Sequence, residues 1–229
     1  MKLYHGGELA NEDRAQLEKA DLLVVDGKIR EAGPDLVVPD DAEVIDCTGK
    51  IILPSFFDLH VHANETGFAE AARSAARGGV SGIVLMPDNV DSGSAAQALL
   101  EKTKDCPIEV LTAGAITKNR DGEEMAAIAS MHEAGIAFLT DSPSPVENPQ
   151  LLRRAMEYAR NFDLPLASHC ETRALSGNGV MNDGRVSYQL GLPGIPSVSE
   201  EIALERDIRL AQYTGTKLHA QQISTARSL

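Results

Sequence analysis

The chain has 229 residues, with 21 Lys and Arg against 34 Asp and Glu, a net charge of −13 at pH 7. Apolar residues make up 43 % and aromatics 4 %, with no Trp, the composition of a globular chain long enough to bury a core. The acidity is spread along the chain without a block of like charges, and it speaks against nucleic acid or an anionic membrane as partner, because both demand a basic face.

Cys47, Cys106 and Cys170 are too few and too scattered for a disulfide framework or a thiolate zinc site. An odd count without CxxC spacing points to reduced thiols and a cytoplasmic protein. The start, Met1 to Asp13, turns polar at once, so no secretory signal is expected. No apolar run approaches the ~20 residues of a membrane helix.

The first fifty or so residues read as short strands and turns. Leu22–Val25 and Val44–Cys47 are β runs, and Asp26-Gly27 is a hairpin signal. Glu12–Ala20 has helical propensity but is assigned to a loop in a strand-rich layer. From Ile51 apolar β runs alternate with amphipathic helical runs. The predicted strands are Phe56–His62, Val80–Met86, Glu109–Ala115, Ile136–Thr140, Leu166–His169 and Lys217–Ile223. The predicted helices are Phe68–Arg77, Ser94–Lys104, Glu123–Ala134, Pro149–Asn161 and Ser199–Tyr213. The fourth helix opens on Asn148-Pro149, an N-cap followed by Pro at the first helical position.

Repeated βα units predict a parallel sheet, either a barrel or an open doubly wound sheet. No GxGxxG follows the strand at Phe56 and no GxxxxGK[ST] occurs, so a nucleotide-binding sheet has no support. His60, His62 and His169 sit at the C-terminal ends of predicted strands, where a (β/α) barrel carries its chemistry, which favours the barrel. With six predicted strands the fold class is α/β, an incomplete TIM-type barrel over 53–229 preceded by a small β-sandwich layer over 1–52.

The strongest chemical signal is Asp58-Leu59-His60-Val61-His62. Strand alternation would put Asp58, His60 and His62 on one face. Two imidazoles at i and i+2 suit one metal ion, with a carboxylate orienting an imidazole from behind. The bland alternative is a polar strand end with two satisfied histidines.

The run Ile52–His62 resembles the first barrel strand of the amidohydrolase superfamily. The runs Ala75–Asn89, Gly114–Met125, Ser168–Glu171, Gly191–Glu201 and Leu218–Ser228 narrow the resemblance to class I dihydroorotases, in family order over nearly the whole chain. The resemblance implies a TIM-type barrel with a small β-sandwich. It also implies a reaction of pyrimidine synthesis, the interconversion of N-carbamoyl-aspartate and dihydroorotate. One or two zinc ions polarise the ring carbonyl and activate water.

Carried over residue by residue, the resemblance makes His60, His62 and His169 metal ligands. The fourth-strand bridging aspartate falls at Ser142, and a hydroxyl is a poor bridge between cations. Asp141 is adjacent, but alternation aims it away. The sixth-strand histidine falls at Gln222, a weak zinc ligand, while His219 belongs to the opposite strand face. An arginine that pairs with the substrate carboxylate falls near Asn64, in a loop that reads as shorter, and a substrate-binding asparagine falls at Asp88. Asp88 is expected to put negative charge where an anionic substrate binds. The position of the eighth-strand catalytic aspartate lies beyond Leu229, so no catalytic residue is assigned.

Other residues have blander readings. Glu171 is expected to be a solvated strand-end carboxylate and Cys170 a buried strand residue. His132 and His5 are expected to be surface or structural. Gly191, Pro193, Gly194 and Pro196 are expected to shape a loop, and Ser224-Thr225 to cap a following helix.

Three expectations follow. The first is a dihydroorotase-like protein with little or no hydrolase activity, assembling with aspartate carbamoyltransferase or with itself. The second is an enzyme with a single zinc ion on His60, His62 and His169, acting on a neutral cyclic amide or imide. The third is a fragment of a longer dihydroorotase.

Overall fold

The computed structural model describes residues 1–11, 16–63 and 67–229. Its strands and helices fall into two units, Met1–Ser55 and Phe56–Leu229.

The first unit contains β1 (Lys2–Asn11), β2 (Gln16–Val25), β3 (Lys28–Gly33), β4 (Glu43–Asp46) and β5 (Ile51–Ile52). They form one mixed sheet in the order β3-β2-β1-β4, with β5 also paired to β1. The expected sandwich layer is therefore a single five-stranded sheet among the described residues of this unit. Asp26 and Gly27 make the two-residue turn between Val25 and Lys28, with φ of 50° and 75°. Positive φ at both central positions is what a type I′ hairpin needs, and Asp-Gly supplies it cheaply. The loop expected over Glu12–Ala20 is corrected at its second half. Gln16 to Ala20 extends β2, because pairing with Asn11 to Gly7 of β1 outweighs local helical propensity; residues 12–15 lie outside the described residues. His5 is structural, its Nδ1 lying 3.0 Å from the buried Asp21 carboxylate, which also accepts the Gly6 and Leu36 N–H groups at 2.8 and 3.0 Å.

The second unit follows the predicted alternation. In chain order it contains β6 (Phe56–Val61), α1 (Phe68–Arg77), β7 (Val80–Leu85), α2 (Gly93–Thr103), β8 (Glu109–Thr112), α3 (Ile128–Ala134), α4 (Pro149–Arg160) and β9 (Leu166–His169). It continues with α5 (Arg173–Ser176), β10 (Met181–Asn182), α6 (Arg185–Leu190), β11 (Gly194–Ile195), α7 (Val198–Thr214) and β12 (Leu218–Gln221).

β6, β7 and β8 pair in parallel, as do β9 and β12. Leu139 joins the two groups through parallel bridges to Gly114 and to Leu166. The strand expected at Ile136–Thr140 is thus a short line of ladder bonds. Ala137 and Thr140 donate to Thr112 and Gly114 carbonyls at 2.9 Å each, and Leu139 donates to Pro165 at 3.0 Å. Six parallel positions follow chain order: β6, β7, β8, Leu139, β9, β12. The described residues show no closed barrel, since β6 pairs only with β7 and β12 only with β9.

The helix expected from Glu123 starts later. Lys118 donates to the Glu124 carbonyl at 2.8 Å and Ala126 to that of Ile116 at 3.0 Å, which holds this stretch as a hairpin-like loop before α3. The Asn148 side chain caps α4, accepting from Gln150 and Leu151 N–H groups at 3.0 and 3.2 Å. Leu152, Ala155, Met156 and Ala159 of α4 are buried with Met131, Leu139 and Leu166 in the main core on the helix side of the sheet. A smaller cluster of Val84, Met86, Ala113, Phe138 and Ala167 covers the opposite face. In the loop after β9, Gly194 lies so close to Asp183 that an added Cβ would sit 2.5 Å from its Cα, which explains a glycine there. No helix among the described residues is long and apolar enough to cross a membrane.

Candidate functional site

Parallel strands end on one side, and the chemical residues gather at those ends: His60 on β6 and His62 after it, Asp88 after β7, Arg120 after β8, Ser142 after Leu139, His169 on β9 and Gln222 after β12. Asn64 lies outside the described residues.

β6 is bulged. Asp58 is in register with Ile83 and Val61 with Leu85, so three steps on β6 oppose two on β7. A bulge of this kind re-aims side chains. It breaks the strict alternation expected across Asp58–His62, and the Asp58 carboxylate turns back onto the His60 backbone N–H at 3.0 Å. The two imidazoles remain together, with their Nε2 atoms 3.2 Å apart. The Ser142 hydroxyl is 3.5 Å from His60 Nε2. Burial, reinforced by the neighbouring His62, holds the His60 imidazole below its ordinary 6.5. His60 Nδ1 is buried without a hydrogen-bond partner.

His169 has partners on both ring nitrogens. Its Nδ1 lies 2.9 Å from Gln222 Oε1 and its Nε2 3.4 Å from Glu171 Oε2. Both of these partners are oxygens that accept, so each ring nitrogen is placed where it can donate. Gln222 reaches the ring because its φ is 57°, a left-handed conformation that turns it off the strand path. Glu171 is therefore more than a solvated carboxylate: it faces His169 and also accepts the Ser176 hydroxyl hydrogen. Among the described residues no three His, Cys, Asp or Glu side chains converge on one cation position. The structure brings His60 and His62 within 3.2 Å of each other, and His169 has protein partners of its own.

The fit to metal is thus partial. Two nitrogens 3.2 Å apart match one edge of a four-coordinate ion, given metal–nitrogen bonds of ~2.0–2.1 Å. A two-metal centre does not fit, since the bridge position holds the Ser142 hydroxyl and the sixth-strand position holds the Gln222 amide. Asp141 cannot stand in. It is 2 % exposed and points the other way, accepting the Ile116 and Thr117 N–H groups at 2.7 and 3.0 Å and the Thr117 hydroxyl. Burial pushes its carboxyl up despite these bonds.

Three residues escaped the sequence reading. Arg120, itself at φ 57°, donates Nη1 to the Ser142 carbonyl at 3.0 Å and Nη2 to the Asp88 carbonyl at 3.3 Å, and pairs with the Asp88 carboxylate at 3.3 Å. The Asp88 charge is therefore partnered. Glu200 on α7 accepts the Ser224 and Thr225 N–H and hydroxyl groups at 2.7–3.0 Å, which anchors those residues to α7. Burial alone would raise the Glu200 pKa, but hydrogen bonds led by the Ser228 and Ser224 hydroxyls bring it down to about 2. Gln221 is 4 % exposed and neither amide atom has a partner. The polar loop sequences announced none of these pairings, which depend on strand ends distant along the chain.

Cys170 is buried with Ala203 and Leu204, and burial pushes its thiol up to about 11, which removes it as a nucleophile. His132 on α3 packs its ring 4.9 Å from that of Phe162.

Comparison with known proteins decides the family. The family model described as Dihydro-orotase-like matches residues 49–228. The chain belongs to the dihydroorotase-like family. It is 42 % identical to the dihydroorotase of Solibacter usitatus, over 96 % of this chain and 52 % of that one. It is 40 % identical to the dihydroorotase of Pelotomaculum thermopropionicum, over 99 % of this chain and 55 % of that one. The chain therefore spans about half the length of these curated relatives. Among solved structures, a D-hydantoinase from Thermus sp. superposes with a TM-score of 0.72 at 19 % identity, covering 100 % of this chain and 53 % of that one. An N-acyl-D-glutamate deacylase from Bordetella bronchiseptica, complexed with zinc, gives 0.62 at 17 % identity, covering 94 % and 50 %. These likenesses establish the α/β amidohydrolase fold of the dihydroorotase-like part.

Proposed function

We propose that this dihydroorotase-like protein of pyrimidine biosynthesis does not by itself complete a hydrolytic centre for dihydroorotate. The observation that carries this reading is the His169 ring held between Gln222 and Glu171, protein groups that face both of its nitrogens. Ser142 at the bridging position supports it, because a neutral hydroxyl cannot hold two cations together as a carboxylate does.

The wider reading is an incomplete TIM-type (β/α) barrel, supported by six parallel positions in chain order. Cys47, Cys106 and Cys170 are all free thiols, which supports a cytoplasmic protein. A protein of this family without a complete centre fits an assembly role, with aspartate carbamoyltransferase or a second copy as partner.

The test is conversion of dihydroorotate to N-carbamoyl-aspartate by the purified chain with zinc supplied. No turnover above background is expected, and turnover that disappears in His60→Ala overturns the reading.

A second reading has one observation in its favour, the 3.2 Å separation of the His60 and His62 nitrogens. In that reading the pair holds a single zinc ion and the substrate is a neutral cyclic amide. Screening uncharged cyclic amides with zinc-loaded protein distinguishes the two.

A further inference from the structure

We infer that Gln221 is a positioning residue for His60: its side-chain amide oxygen accepts the Nδ1 hydrogen of the imidazole and so keeps the His60 Nε2 lone pair turned towards His62. The inference concerns the tautomer of one ring, and it stands whether or not the chain turns over dihydroorotate.

Three observations carry it. First, His60 Nδ1 is buried without a completed hydrogen bond, and so are both amide atoms of Gln221, a residue 4 % exposed. Buried polar groups in folded proteins are almost always paired, and an imidazole N–H and an amide oxygen are complementary. Second, the strands bring these two residues together. Gln221 is the last residue of β12 and the register partner of His169, so it shares that histidine's face of the sheet. His60 and Gln221 line one cavity. Burial and the neighbouring His62 hold the His60 imidazole below its ordinary 6.5, and the Gln221 side chain works against both as an acceptor. Turning the amide about its terminal torsion, which is a soft one, completes the bond. Third, His60 Nε2 faces His62 Nε2 at 3.2 Å and the Ser142 hydroxyl at 3.5 Å. An imidazole N–H and a hydroxyl can both donate, which suits a ring whose own hydrogen is on Nδ1.

The strand pattern offers Asp58 as the group behind the imidazole, but the Asp58 carboxylate accepts the His60 backbone N–H at 3.0 Å. The role therefore falls to an amide on β12. Its consequence is chemical. An imidazole that meets a cation through one nitrogen normally gives its other N–H to an acceptor, which fixes the tautomer and the ring orientation, and losing that acceptor typically costs about 10–100-fold in metal affinity. Gln221 thus decides whether the His60–His62 pair can offer its two facing nitrogens to one ion.

The experiment reads the His60 ring nitrogens by long-range nitrogen–proton NMR of the full chain, at a fixed pH above the ordinary imidazole value of 6.5. The wild-type ring is expected to carry its hydrogen on Nδ1. Gln221→Leu removes the acceptor at similar volume and is expected to shift the ring towards the Nε2–H tautomer. Gln221→Glu keeps an acceptor oxygen and is expected to keep the Nδ1–H form. Gln221→Leu also removes two buried polar atoms that lack partners, so its melting temperature is expected to match or exceed that of the wild type. Zinc affinity, read by chelator competition, is expected to fall by about tenfold or more in Gln221→Leu and to persist in Gln221→Glu. A wild-type ring with its hydrogen on Nε2 overturns the proposal whatever the zinc result, as does an Nδ1–H form that persists unchanged in folded Gln221→Leu. Dihydroorotate turnover by a chain that shows the expected tautomers overturns the turnover reading alone.

Discussion

Gln222 Oε1 and His169 Nδ1 lie 2.9 Å apart, a hydrogen bond between β9 and the turn that follows β12. It exists because two sequence features meet. His169 and Gln221 are register partners at the ends of two parallel strands, and Gln222 adopts φ 57° immediately afterwards. Gln222 meets the imidazole at Nδ1, and Glu171 faces the other nitrogen. In this protein the ring is part of a strand-end network.

Restoring acidic and imidazole donors should restore metal binding. The double change Ser142→Asp and Gln222→His puts a carboxylate beside His60 and an imidazole beside His169. Zinc affinity is expected to rise by about tenfold or more, ~1.4 kcal/mol. Competition with a chromogenic chelator measures it, and an unchanged affinity would show that strand-end geometry, not donor identity, limits binding.

Asp141 is a structural acid. Asp141→Ala leaves two buried N–H groups and a hydroxyl without their acceptor and is expected to cost about 2–4 kcal/mol. Asp141→Asn keeps an acceptor oxygen and should cost less. Because burial raises the folded carboxyl above its ordinary 3.8, folding favours its protonated form. Its contribution is full below 3.8 and is lost as pH rises through the raised folded value. Urea denaturation across that range should show the slope in the wild type and not in Asp141→Asn.

Glu200 has the opposite sign. Its folded pKa of about 2 lies below the ordinary 4.5, so it contributes stability above pH 4.5 that is lost as pH falls through about 2. Glu200→Gln should flatten that acid dependence. It should also speed amide exchange at Ser224 and Thr225, whose N–H groups donate to the carboxylate.

Arg120 ties the loop after β8 to those after β7 and Leu139. Arg120→Ala should destabilise the chain by about 1–2 kcal/mol, from the loss of hydrogen bonds to the Ser142 and Asp88 carbonyls. Limited proteolysis should then cut first near Asn119 and Asp88. A melt identical to the wild type would remove Arg120 as a clamp.

Much of the second unit was legible because its period is strong. The helix expected at Phe68–Arg77 and the strand at Leu166–His169 have those bounds in the structure. Leu152, Ala155, Met156 and Ala159 recur at helical spacing and are buried as that spacing requires. The failures share a cause. Ile136–Thr140 pairs with its neighbours only through bridges at Leu139, and Gln16–Ala20 is strand only because β1 pairs with it. At the site, residue types pointed to the right strand ends, and the direction of Asp141 followed from alternation. The β6 bulge, the left-handed Gln222 and the Arg120 guanidinium were not legible, because register slips and contacts between distant loops leave no periodic trace.

The most direct test of the account is zinc per chain, measured by elemental analysis on protein loaded with zinc and desalted, in parallel with dihydroorotate turnover. Fewer than two zinc ions per chain, no turnover, and loss of any bound ion in His60→Ala are expected. Two zinc ions per chain with dihydroorotate turnover would contradict it.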